Sequence, residues 1–260
     1  MTSRRAEPVR LAALAQGRLR EGPALPRRLA IIGDGKMGRA VAQLATERGW
    51  TIVAQFGAAA NERGAGITPA SLAGADVAIE FTEPSAALAN AAACIAAGCA
   101  VVIGTTGWYD ELPALQALVQ AKRAGVFWAA NFSLGANLLV ALAGEAGRRV
   151  RDLPGFDAHI VETHHAQKKD APSGTSIVLQ QSLAAALGRE TPITSVRTGS
   201  VPGEHALLFD GPFEQLTLTH VARDRRVFAE GALAAAGWLI GRSGLFTMRD
   251  LLQPPAGSAT

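Results

Sequence analysis

Residues 164–176 read HHAQKKDAPSGTS, with two histidines, two lysines and an aspartate in the first seven positions. Histidine titrates near neutral pH, and lysine brings a compact ammonium with three donors. Together, His164 and Lys168 suit delivery of a proton to an anionic substrate. The residues that follow shape an anion site. Pro172 pushes Ala171 towards an extended backbone. Ser173 is a good helix N-cap, and Gly174 and Thr175 then open an apolar helix. The free N–H groups of that first turn, with the Thr175 hydroxyl, form a cradle for a carboxylate or phosphate. No metal is expected. Adjacent histidines on an extended strand point to opposite faces, so His164 and His165 are poor joint ligands, and no cysteine or carboxylate–histidine spacing completes a zinc site. The plain alternative for the Lys-Lys-Asp run is a solvated loop, and Lys169 reads as such a neighbour.

A second motif lies far upstream. GDGKMG (33–38) has the form G-x-G-x-x-G. Gly33 permits a tight turn, Gly35 lets a pyrophosphate approach the backbone, and Gly38 allows close helix–strand packing. The anion would rest on N–H groups at the helix start. The acidic residue that usually holds the ribose hydroxyls after the second strand is missing from VAQFGAAANERG, where Gln55 is the nearest polar candidate. Strict NAD use is therefore not indicated. Lys36 and Arg39 are close enough in sequence to meet a 2′-phosphate, or to be solvent-exposed charges. NADH, NADPH or both are the expected cofactors. GTTG (104–107) and AANFS (129–133) end later strands, where ligands of open α/β sheets bind. Their small and hydroxylated residues suit a nicotinamide.

These motifs need elements to hold them. LAIIG (29–33), TIVAQFG (51–57), DVAIEFT (76–82), CAVVIGTTG (99–107) and GVFWAANFS (125–133) read as strands. Helical patterns over 37–49, 84–97 and 111–123 alternate with them, Pro84 suiting a first turn. That alternation predicts βαβ units and a parallel sheet with right-handed crossovers. After residue 133 the pattern changes. Helices at 135–150 and 174–188 flank a strand, FDAHIVETHH, and ITSVRTGSV, ALLFD and EQLTLTHVA read as hairpins of a mixed or antiparallel sheet. A last helix at 228–241 precedes GLFTMRDLL. The fold class is thus α/β: a Rossmann-type nucleotide-binding domain (29–131 and 226–260) plus an α+β substrate domain with a mixed sheet (132–225). A hinge is expected near 131–135 and 222–228.

The bulk numbers set limits. The chain has 260 residues, 48% hydrophobic and 18% charged, so a sizeable core is expected and global disorder is not. The net charge is +3, but residues 1–28 hold seven arginines against two glutamates, leaving the remainder at −2. A nucleic-acid partner is therefore not expected. Residues 1–28 read as a non-structural extension, with a transit peptide as the lesser alternative, and the tail QPPAGSAT as disordered. No apolar run reaches membrane-spanning length uninterrupted. Cys94 and Cys99 make neither a metal spacing nor a disulfide framework, which suggests a reducing, cytoplasmic setting.

ETHHAQKKDAPSGTS closely resembles the signature of the dihydrodipicolinate reductase family, also called 4-hydroxy-tetrahydrodipicolinate reductases. GTTG, NFSLGAN, GEHALLF, FAEGALAAAGWL and GLFTMRDLL are similar to that family's further blocks, in its order, over about residues 29 to 252. The resemblance implies NAD(P)H-dependent reduction of 4-hydroxy-2,3,4,5-tetrahydrodipicolinate, with loss of water, on the diaminopimelate route to lysine. By position, His164 matches the family's acid/base and Lys168 its proton donor. His165, Gly174 and Thr175 match substrate contacts, beside the capping Ser173. Gly33, Asp34, Gly35, Lys36, Met37 and Gly38 match one cofactor loop. Gly104, Thr105 and Thr106, with Ala130, Asn131, Phe132 and Ser133, match the others. The implied assembly is a homotetramer built through the sheet of the substrate domain, acting on a small dicarboxylate. The chain departs from the family at Ala166 and Gln167, where some relatives are more basic, and its residues 1–28 have no recognised counterpart. Two competing readings are another two-domain NAD(P) oxidoreductase of a small di-acid or imine, and a non-catalytic dinucleotide sensor. A sensor has no need of a proton donor, and a lactate- or aldehyde-type enzyme has no need of a dicarboxylate cradle.

Overall fold

The computed structural model describes residues 27–253; the tail and nearly all of the N-terminal extension lie outside them. The first strand, β1 (Arg28–Ile32), is buried from Leu29 onward, as a central strand covered on both faces must be. Arg28 already belongs to it, one residue before the expected start. Then follow α1 (Lys36–Glu47), β2 (Thr51–Phe56), β3 (Val77–Glu80), α2 (Pro84–Ala96), β4 (Ala100–Ile103), α3 (Leu112–Lys122) and β5 (Gly125–Trp128). The second half runs α4 (Leu134–Val150), β6 (Asp157–His164), α5 (Gly174–Leu187), β7 (Ile193–Arg197), β8 (Glu204–Asp210), β9 (Gln215–Val221), α6 (Arg226–Leu239), β10 (Gly244–Phe246) and α7 (Met248–Leu252).

Six strands form one sheet in the order β10-β5-β4-β3-β1-β2, every pair parallel. Apolar side chains cover both faces. Val41, Leu44 and Ala45 of α1 pack with Ala232, Leu233 and Leu239 of α6 on one side. Ala87, Ala91 and Ile95 of α2 pack with Leu115 and Val119 of α3 on the other. The chain therefore returns to this sheet, through α6 and β10, after building the second. β4 and β5 stop at Ile103 and Trp128, several residues earlier than the sequence pattern indicates. GTTG and AANFS are thereby loops at the carboxyl end of the sheet.

The second sheet has the order β7-β6-β8-β9. β6 runs parallel to β7, and β8 antiparallel to both β6 and β9. Of the expected hairpins, only β8–β9 is one; β7 lies on the far side of β6. The helices α4 and α5 cover one face, burying Ala158, Ile160, Leu207 and Phe209 against Leu139, Leu179 and Leu183. The register places Thr163, Val196, Ala206, Thr219 and Val221 on the other face, where Val196 and Val221 are exposed.

Candidate active site

The carboxyl end of the parallel sheet faces the start of α5 across a cleft of about 980 Å³. One wall holds Met37, Gly104, Thr106, Ala130, Asn131 and Phe132; the other holds His164, His165, Lys168, Ser173, Gly174 and Thr175. Residues far apart in sequence thus meet around one space.

On the second wall, Ser173 is the N-cap of α5, its hydroxyl accepting from the Ser176 N–H at 3.2 Å. The Ala171–Pro172 peptide before it is cis. Thr175 Oγ1 accepts from Asn131 Nδ2 at 3.0 Å, which leaves its own hydrogen for a ligand. Lys168 Nζ donates to both oxygens of Asp170, each at 2.8 Å, and this bond holds the Asp170 carboxyl below its ordinary range.

His164 ends β6, nearly buried. Two residues earlier on the same face, as strand geometry requires, sits Glu162, fully buried. Glu162 Oε1 accepts from the Ser173 N–H at 3.1 Å, Ser195 Oγ at 2.7 Å and Arg197 Nη2 at 2.8 Å. Oε2 accepts from Ser176 Oγ at 2.9 Å and stands 3.3 Å from His164 Nδ1. Burial alone would raise this carboxyl, but the donors prevail and hold it at about 2. Burial lowers the His164 pKa; Glu162 opposes that, and Lys168 and Arg197 reinforce it. Arg197 also donates to the Asp170 carbonyl, tying the lysine loop to β7.

His205 of β8 lies edge-on to His164, ring centres 5.2 Å apart, and stacks on His220 of β9 at 6.3 Å. Burial holds the His205 pKa down at about 4. His205 Nε2 meets the Ser173 hydroxyl at 3.3 Å, and His220 Nε2 meets that of Ser133 at 3.2 Å. Ser133 is itself the N-cap of α4. The two serines that cap the helices at the cleft are thus each held by a histidine from the same hairpin.

On the first wall, Gly33 has φ +112°, and a Cβ there would sit 2.0 Å from the Phe81 carbonyl; a Cβ on Gly38 would sit 1.9 Å from that of Gly33. Gly35 is different, because a Cβ there would meet nothing within 4 Å. The first turn of α1 has neither a capping side chain nor an acidic residue, so its N–H groups stay available to an anion, and the loop fits a dinucleotide pyrophosphate. Met37 is the one residue of this loop that lines the cleft itself. Lys36 and Gln55 are exposed, Gln55 on the edge strand β2 and outside the cleft lining. Arg39 donates to the Asp34 carbonyl. The Asp34 carboxylate packs against Gly57, immediately after β2, so closely that a Cβ on Gly57 would lie 2.5 Å from Oδ2.

Two residues of the expected cofactor loops turn their hydroxyls away from the cleft. The Thr105 hydroxyl faces inward, donating to Glu80 Oε1 at 3.0 Å and accepting from the Thr82 N–H at 2.7 Å. Glu80 is fully buried and its carboxyl is raised by desolvation, so Thr105 is spent on satisfying it. Ser133 likewise turns its hydroxyl to α4 and His220. Neither side chain lines the cleft.

The sequence reading missed Glu162, Asp170, Arg197, His205, His220, Arg225 and Arg249, the last two of which also line the cleft. Only Glu162 and Asp170 carried a local signal, each at i, i+2 spacing from His164 and Lys168 respectively. In three dimensions His164 groups not with His165 but with Glu162 and His205, the three offering ligand atoms within 4.8 Å of one another. The donors already on Glu162 include a guanidinium, which supplies the positive charge an ion would bring. Cys94 and Cys99 are buried free thiols, pushed up by burial, Cys99 to about 11. Both lie in the core against α2, away from the cleft.

Residues 27–132 match the family described as dihydrodipicolinate reductase, N-terminus, and residues 135–252 the family described as dihydrodipicolinate reductase, C-terminus. A 4-hydroxy-tetrahydrodipicolinate reductase of Thiobacillus denitrificans is 39% identical, over 86% of this chain and 98% of its own length. One from Desulfovibrio desulfuricans is 42% identical, over 67% of this chain and 75% of its own length. Among solved structures, a dipicolinate-bound dihydrodipicolinate reductase from Paenisporosarcina sp. TG-14 superposes with a TM-score of 0.73 at 25% identity, over 88% of this chain and all of that one. A probable dehydrogenase from Thermotoga maritima, at 10% identity and a TM-score of 0.56, shares the fold alone.

Proposed function

This chain belongs to the dihydrodipicolinate reductase family, and from that premise we propose that its cleft reduces 4-hydroxy-2,3,4,5-tetrahydrodipicolinate, with loss of water, to 2,3,4,5-tetrahydrodipicolinate on the diaminopimelate route to lysine. One observation carries the reading: His164, Lys168 and the Ser173–Thr175 helix start face the glycine-loop side of the parallel sheet across a single cleft. A bound nicotinamide nucleotide supplies the hydride. The chain's own residues do the rest. The N–H groups of Gly174 and Thr175 and the Thr175 hydroxyl hold one substrate carboxylate, with His165 alongside. Lys168, a cation that Asp170 keeps in place, supplies the proton that the ring nitrogen side gains as negative charge builds there. His164 is kept neutral by burial and manages the adjacent proton. Fixing the carboxylate at the helix start shortens the hydride path.

The finer points are proposals of the same kind. The Asp34 carboxylate at the end of β2 stands where the missing acidic residue was sought. It suits a ribose diol and repels a 2′-phosphate, so NADH is the favoured donor, with Lys36 and Arg39 as the exposed cations nearby in sequence. Segments 131–135 and 222–228 serve as the hinge for closure. The uncovered Thr/Val face of the second sheet supports a homotetramer. Among the described residues no helix is long and apolar enough to cross a membrane, and a cytoplasmic setting suits the pathway.

A coupled assay with freshly generated substrate, following oxidation of NADH and NADPH in parallel, tests the function. Oxidation of NADH at the lower KM is expected. Oxidation of neither refutes the reading.

A further inference from the structure

His164 sits where its two ring nitrogens have unlike surroundings. Nδ1 is buried and has no aligned hydrogen-bond partner. The atom nearest to it that carries charge is Glu162 Oε2, at 3.3 Å. The Nε2 edge instead lies against Gly203, whose hypothetical Cβ would stand 3.2 Å from Nε2, and Gly203 follows Pro202 in the cleft wall.

The acceptor capacity of Glu162 gives this asymmetry a direction. Each carboxylate oxygen accepts about two hydrogen bonds. Oε1 already takes three, from Ser173, Ser195 and Arg197, whereas Oε2 takes one, from Ser176 Oγ. One lone pair of Oε2 therefore remains, on the side of His164. A proton on Nδ1 satisfies both buried atoms. A proton on Nε2 would set the Nδ1 lone pair against a carboxylate in a buried site, which is repulsive.

We propose that Glu162 is a positioning residue for His164, holding the proton on Nδ1 so that Nε2 is the nitrogen that accepts and returns a proton in the cleft. Because Glu162 Oε1 also receives the Ser173 N–H, one buried carboxylate aligns the imidazole and the anion-binding helix start together. Arg197 balances its charge and reaches the Asp170 carbonyl, so the lysine loop hangs from the same point. The charged and titratable groups facing His164 are Glu162 on its own strand, Arg197 on β7, His205 on β8, and Lys168 and Asp170 on the loop. Glu162 is the buried anion among them.

The catalytic part of this inference rests on the proposed function; the proton's position does not. The first measurement is long-range 1H–15N NMR of the full-length, 15N-histidine-labelled protein, with His164 assigned through His164→Gln. The expected result is neutral His164 protonated at Nδ1. A proton on Nε2 overturns the proposal, whether or not the protein shows activity. The second is the pH profile of Glu162→Gln. Gln keeps an acceptor oxygen for the Ser173 N–H but loses the anion, so kcat should fall about 10- to 1000-fold with KM changed little, as expected when an acid/base residue loses its orienting partner. With Arg197 and Lys168 then unopposed, the His164 limb should move to lower pH, and Glu162→Asp should restore part of kcat. A purely structural Glu162 would lower Tm and leave kcat and the limb in place, and that result overturns the proposal. If Glu162→Gln does not fold, the NMR measurement on the native chain decides. If the native chain oxidises neither nucleotide, the functional reading fails while the tautomer is still read.

Discussion

Lys168 reaches the cleft already paired. Its ammonium is bound by both oxygens of Asp170, so its direction is set before substrate arrives. Lys168→Met keeps the aliphatic stem and removes the proton donor. It should lower kcat by about 10²–10⁴-fold, with a thermal unfolding profile close to that of the native chain. The glycines allow a sharper contrast. Gly35→Ala places a methyl in open space, where a pyrophosphate would lie. It should leave folding intact and weaken dinucleotide binding by about tenfold, roughly 1.4 kcal/mol, by titration calorimetry. Gly38→Ala drives a methyl into the Gly33 carbonyl. It should cost about 1–3 kcal/mol of stability, as overpacking does, measured by urea unfolding. Equal effects of the two substitutions would contradict the division of roles.

At the scale of elements, the cleft depends on helix starts, and those of α4 and α5 are each held by a serine. Ser173→Ala removes the cap of α5 together with the contact to His205. A loss of about 0.5–2 kcal/mol is expected from the cap alone, with KM for the dicarboxylate rising more than kcat falls. The start of α5 was legible in the sequence because its cause is local: a proline, a capping serine and a glycine in succession. The glycine loop was legible for the same reason. Glu162, Arg197 and His205 were not, except for the spacing of Glu162 from His164. They meet only through the register that sets Glu162 beside both Ser195 and His205, and no local pattern encodes that pairing. For Thr105 the partner of the hydroxyl was hidden for a related reason. Its position after β4 suggested a cofactor contact, but the buried Glu80 beneath it claims the hydroxyl. The ends of β4 and β5 were overrun because the residues that follow are small or β-branched and single backbone bonds, from Gly104 to Glu80 and from Ala129 to Ile103, carry the chain just past the last paired residue.

For the molecule as a whole, two buried groups tie stability to acidity. His205 titrates near 6.5 in an unfolded chain and at about 4 here. The unfolded chain thus binds a proton that the folded one refuses, and stability falls as pH drops from 6.5 towards 4. Glu162 is depressed from 4.5 to about 2, so its contribution is complete above 4.5 and is lost as pH falls through 2. Stability against urea should therefore decline in two overlapping stages from pH 6.5 downward, and His205→Gln should make the first shallower without removing it, because burial lowers His164 and His220 as well. The uncovered face of the second sheet sets a different test. Val196→Asp, on that face, should dissociate the proposed homotetramer in sedimentation measurements while leaving the fold of each copy unchanged.

Asn131 belongs to the loop expected to meet the nicotinamide, and its carboxamide donates to Thr175 at the mouth of the substrate cradle. That single bond makes the two ligands thermodynamically reciprocal. Whatever free energy the dinucleotide contributes by setting Asn131 must appear, in equal measure, when a dicarboxylate sets Thr175 first. The affinity of each ligand should rise by the same factor in the presence of the other, and Asn131→Ala should bring both factors towards one.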